Sequence, residues 1–142
     1  MSKRQQRSGL RIRGHRGHPH VRAALIRYAR WLRLQFDFPI RVSVYLLPGH
    51  VVRTMRGDEC SASIFLPWSR KQEPYIRIAT GDYPNLHRER GRDDVLAAYL
   101  ISLSHEVLHY GQWIETGDSS ERGVVAKAKS LVQSHAKSVA VP

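Results

Sequence analysis

Between Asp93 and Ile114, six residues recur at spacings of three and four: Leu96, Leu100, Leu103, Val107, Tyr110 and Ile114. That period lines one face of an α-helix of about six turns with apolar side chains. A helix with such a stripe must bury it against another layer, so this stretch commits the chain to a packed, layered domain. The same segment carries His105, Glu106 and His109 in "SHEVLH". At about 100° per residue, the two histidines fall roughly opposite the stripe. Their face also carries Ala98, Ser102 and Gln112. They are expected to point into solvent or a cleft rather than into the core.

The surrounding segments supply partners for that helix. A first helix is expected from about Pro19 to Phe36, with Val21, Leu25, Tyr28, Leu32 and Phe36 at helical spacing. Proline suits its first turn, and "DFP" ends it. In "IRVSVYLL", Ile40, Val42, Val44 and Leu46 alternate with Arg41, Ser43, Tyr45 and Leu47, the pattern of a half-buried strand. "CSASIFLPW" and "YIRIATG" read as two more strands, and "DYPNLHRERGR" reads as a loop. After a break at Gly117, a last helix is expected from about Ser119 to Ala136. Its apolar face carries Val124, Val125, Ala128, Leu131, Val132 and His135. The class is therefore α+β, with a three- to four-stranded sheet.

Length and charge narrow the picture further. The 142 residues suit one domain, and no stretch reaches the roughly 18 apolar residues of a bilayer span. One cysteine, Cys60, and no secretory pattern make the expected location cytoplasmic, without a membrane partner. Of 23 Lys and Arg, ten precede the first acidic residue, Asp37, so the net charge of +11 belongs mainly to the N-terminal quarter. Residues 1–18 read as a basic flexible arm, and 19–142 as the folded domain. Nucleic acid is the partner such charge suits, although the arm has no aromatic residues interleaved for base stacking. Trp31, Trp68 and Trp113 are expected in packing, and Cys60 as a small residue at a strand start.

The chemistry of "HEVLH" follows from helical geometry. Imidazoles at i and i+4 stand one turn apart and can both reach one Zn2+. A glutamate at i+1 is rotated by about 100°, beside the metal rather than on it. It can take a proton from a metal-activated water and pass it to a leaving amine. Glu106 is therefore the candidate general base, with His105 and His109 as candidate metal ligands.

The order helix, strand, further strands, "SHEVLHYGQW" helix and final helix resembles the minimal zincin metalloprotease domain over about residues 19–138. That resemblance implies a zinc metallopeptidase acting on proteins or peptides. In its glutamate-zincin branch, a backing helix lies behind the sheet, and the helix around Leu25–Leu32 would take that place. A sheet strand lines the cleft, and a glutamate from the C-terminal helix completes the zinc site. Downstream candidates for that ligand are Glu115, Asp118, Glu121 and His135. Glu115 has the metzincin distance from His109, but Gly111 stands one place early for that pattern. Glu121 lies in line with Val124, Val125 and Ala128, where a charge needs a partner. Glu121 is thus the first choice; the competing role is a capping box, with Asp118 as N-cap and Glu121 at N3.

Tyr110, Tyr99, Tyr83, His87 and His50 are candidate oxyanion donors, none singled out by spacing. His15, His18 and His20 read as part of the arm. The alternative function is a non-catalytic nucleic-acid-binding module that uses the basic arm and the first helix.

Overall fold

The computed structural model describes residues 7–14 and 16–140. In chain order the elements are β1 (Leu10–Arg13), α1 (Pro19–Gln35), β2 (Val42–Leu47), β3 (Val52–Arg53), β4 (Glu59–Cys60), β5 (Ala62–Phe65), β6 (Tyr75–Ala79), α2 (Tyr83–Arg90), α3 (Arg92–Thr116) and α4 (Val124–Ala140). The class is α+β. A four-stranded sheet has the order β1-β2-β6-β5, and β3 and β4 form a separate two-stranded ribbon. β1, β2 and β6 run parallel, and β5 is antiparallel to β6. Among the described residues no helix is long and apolar enough to cross a membrane.

The alternation in β2 sorts its side chains. Val42, Val44 and Leu46 join Leu10, Ile76 and Ile78 on a face that is almost fully buried. Val21, Leu25, Tyr28 and Leu32 of α1 and Leu103, Val107 and Tyr110 of α3 complete that core. Full burial of each such leucine or valine contributes roughly 1.5–3 kcal/mol relative to exposure. Pro19 occupies the first turn of α1, and the His18 ring caps it by accepting from His20 N–H at 3.2 Å. Gly117, at φ 78°, ends α3 in the left-handed conformation that glycine adopts without strain.

Two buried polar contacts fix α3 against its neighbours. The Tyr28 hydroxyl meets Ser104 Oγ at 2.5 Å, and Ser104 also donates to Leu100 O at 2.8 Å. The Tyr110 hydroxyl donates to Ile40 O at 2.5 Å and accepts from Ile40 N–H at 3.1 Å. Burial pushes the Tyr28 and Tyr110 phenols up to about 12. His105 and His109 lie between these two anchors, so the helix presents them at a fixed height and rotation.

The structure differs from the sequence reading in several places. Leu10–Arg13, expected within a flexible arm, form β1, paired with Val42–Tyr45. Residues 1–6 and His15 of that expected arm lie outside the described residues. A Cβ on Gly14 would sit 2.5 Å from Leu46 O, and Gly14 has φ 102°. Gly17 approaches Leu46 as closely. The glycines of "GHRGH" thus serve a tight turn against β2.

"YPNLHRER" is helical rather than a loop, held by the buried Tyr83. The segment at Cys60 splits into β4 and β5, with β3 preceding them. α4 starts at Val124 rather than Ser119, and Val125 is exposed while Val124, Ala128 and Val132 are buried. Trp68 is fully exposed, whereas Trp113 is buried and donates to Pro67 O at 3.1 Å.

Candidate metal centre

His105 and His109 project from α3 toward the segment that precedes α4. Their Nε2 atoms are 3.2 Å apart. Glu121 reaches both: Oε1 lies 2.7 Å from His109 Nε2, and Oε2 lies 3.1 Å from His105 Nε2. The three donor groups fall within 4.8 Å of one another. Glu121 therefore does not turn back as a cap. α4 begins three residues after it, and Asp118 Oδ1 accepts from Ser119 N–H instead.

Gln112 holds the return segment in place. Its Nε2 donates to Ser120 O at 2.9 Å, and its Oε1 accepts from Ser120 N–H at 2.8 Å. This pair fixes the orientation of the amide. The same Oε1 lies 3.1 Å from His109 Nδ1, so that ring nitrogen carries the proton. His109 Nε2 is then left as a lone pair facing a carboxylate and another imidazole nitrogen. With His105 Nε2 also as a lone pair, the three groups are acceptors that a metal ion between them would satisfy; as Nε2–H, His105 donates to Glu121 instead. Two imidazole nitrogens and one carboxylate oxygen are donors of the kind zinc takes. Bonds of about 2.1 Å in a tetrahedron separate neighbouring donors by roughly 3.4 Å. The observed separations need only a small expansion to fit.

Glu106 sits one residue after His105 and is only 8 % exposed. Burial pushes its carboxyl up to about 7, with His109 opposing the shift and Glu121 adding to it. Glu106 also acts on Cys60: burial first, then this carboxylate, push the Cys60 thiol up. The helix face opposite the apolar stripe is thus not simply exposed. His109 is 6 % exposed, with Glu121 of the return segment against its ring, and Glu106 is buried within electrostatic reach of both.

The other candidates lie elsewhere or are engaged. Glu115 is exposed. His135 packs its ring against Tyr28 and Trp31, at centroid distances of 5.0 and 5.4 Å. Among the oxyanion candidates, Tyr110 is bound to Ile40, and His50 Nδ1 pairs with Asp82 at 2.5 Å. Tyr83 packs against His18 and His87. Tyr99, His50 and Asp82 line a small cavity of about 120 Å³ that also includes Ser102, one turn before His105 on α3. The role of Gln112 was missed from the sequence. Its one signal was its place on the histidine face, three residues after His109.

No protein-family model, curated protein or solved structure matches the chain.

Proposed function

We propose that the protein is a zinc-dependent metallopeptidase of the glutamate-zincin type. The observation that carries the reading is the convergence of His105, His109 and Glu121 on one point, with the tautomer of His109 fixed by Gln112. The three residues would hold the metal, and zinc there would supply Lewis acidity that activates a water and polarises a carbonyl oxygen.

Glu106 supports a role in proton transfer. In the metal-free chain burial holds its carboxyl up at about 7, and a cation beside it would draw it down toward the ionised form that accepts a proton. Glu106 takes the proton of the attacking water and delivers it to the leaving amine nitrogen, so its charge is restored within one turnover. Gln112 and the Ser104 and Tyr110 anchors keep the donors aligned while this happens. β5 is an edge strand packed on α3, and an extended peptide would add to it by backbone hydrogen bonds. A module that binds nucleic acid without catalysis gives the convergence of His105, His109 and Glu121 no functional role.

The test is Glu106→Gln assayed on a protein substrate and on a mixture of quenched fluorescent peptides. The variant is expected to retain zinc and lose hydrolysis, because an amide does not accept the water proton. Equal turnover by the variant and the natural chain would remove Glu106 from this role.

A further inference from the structure

Strand register places the arginines and aromatic residues of this chain on one sheet surface. α1 and α3 cover the face bearing Val42, Val44, Ile76 and Ile78. The opposite face alternates with it. Pairing puts Arg11, Ser43, Tyr75 and Phe65 in one row across β1, β2, β6 and β5. The next row is Arg13, Tyr45, Arg77 and Ser63. Arg41 precedes β2 with the same parity. The aromatic rings form a continuous strip: Tyr45 to Tyr75 is 6.1 Å between centroids, and Tyr75 stacks on Phe65 at 5.2 Å. Tyr45 is 40 % exposed. The β3–β4 ribbon borders the strip, leaving a groove of about 340 Å³ lined by Met55, Phe65, Tyr75 and Arg77 among others.

The charge on this face is one-sided. Burial, together with Arg7, Arg11 and Arg13, pushes the Arg41 guanidinium below its ordinary value, and Glu73 is the carboxylate that opposes them. Glu73 itself is held by Arg7 at 3.3 Å. On the bordering ribbon, Glu59 is held by Arg53 at 3.1 Å, and Asp58 lies at the turn. Nε of Arg41 and of Arg77 is shielded from solvent without a hydrogen-bond partner among the described residues.

We infer that this open sheet face binds single-stranded nucleic acid, with bases stacked on Tyr45, Tyr75 and Phe65 and phosphates held by Arg11, Arg13 and Arg41. Charge complementarity calls for a polyanion, and a strip of rings with Tyr45 exposed and Tyr75 and Phe65 half-buried beside arginines selects one with unpaired bases. A duplex keeps its bases stacked on each other and offers this surface only phosphates. An acidic peptide satisfies the arginines but leaves the rings without planar partners. The strip lies on the sheet face opposite the one covered by α3, the helix that carries His105 and His109.

The test is fluorescence anisotropy of the full chain with a labelled short oligothymidylate, a duplex of equal length, and labelled polyglutamate. The oligothymidylate is expected to bind most tightly. Tyr45→Ala should weaken it roughly tenfold while Tyr45→Phe keeps it, as for a ring that stacks on a base. Arg11→Gln with Arg13→Gln should reduce the slope of log affinity against log salt by about 1.4, at about 0.7 per lost phosphate contact. Thermal melting of each variant checks the fold, which an exposed Tyr45 does not support. No binding of the oligothymidylate, equal or tighter binding of duplex or polyglutamate, or unchanged affinity in Tyr45→Ala each overturns the inference.

Discussion

Replacing Gln112 by alanine should weaken zinc binding without touching a ligand. Gln112 makes three contacts, to Ser120 O at 2.9 Å, Ser120 N at 2.8 Å and His109 Nδ1 at 3.1 Å. Each hydrogen bond of this kind contributes about 0.5–1.5 kcal/mol net. Water replaces part of that at a half-exposed side chain. Two things are lost: the proton of His109 is no longer directed to Nδ1, and the Ser120–Glu121 return is no longer clamped at the height of the histidines. Loss of such an outer partner typically costs 10- to 100-fold in metal affinity, about 1.4–2.7 kcal/mol. A competition titration against a zinc-sensitive fluorescent chelator measures this. Gln112→Glu keeps the acceptor for His109 and Ser120 N–H but loses the donor to Ser120 O, so its loss should be smaller. An affinity in Gln112→Ala within about twofold of the natural chain would refute the account of how Glu121 is positioned.

Three further outcomes concern stability. In the metal-free protein, Glu106 has a folded-state pKa of about 7 against an ordinary 4.5. Its contribution is fully present below pH 4.5 and is lost as pH rises through 7, up to about 3 kcal/mol by pH 8. Glu106→Gln should therefore melt higher than the natural chain at pH 8 in chelator and by much less at pH 5; parallel pH profiles of the two would contradict this. Gly14→Ala should destabilise by about 2 kcal/mol or more, since φ is 102° and the new Cβ meets Leu46 O. Gly111→Ala, in the interior of α3 with open space around its Cα, should instead stabilise by about 0.5–1 kcal/mol in urea unfolding.

The elements with long periods were legible from the residues. The stripe from Leu96 to Ile114 marks α3, and the alternation from Ile40 to Leu47 marks β2. Glu121 stood out through an expected helical alignment with Val124 and Ala128 that the fold does not keep, since α4 starts at Val124; the return segment before α4 brings it to the histidines. What was not legible was short or depended on distant segments. β1 has only Leu10 and Ile12 to face the core, and its arginines made it look like solvated tail. α2 buries a single residue, Tyr83, so its sequence carries no stripe. The burial of Glu106 had a readable signal, because it follows Leu103 by three and precedes Tyr110 by four. The clamp by Gln112 had almost none, because its partner is the backbone of Ser120, and backbone groups carry no sequence code. The aromatic strip on the sheet likewise exists only once β2, β5 and β6 are in register.

The most direct measurement is the metal content of the purified chain beside His105→Ala and His109→Ala. The account predicts one zinc per natural chain, lost or sharply reduced in both variants, since each removes one of three donors to the same ion. Equal zinc in all three proteins, or none in the natural chain after purification without chelator and addition of zinc, would contradict it.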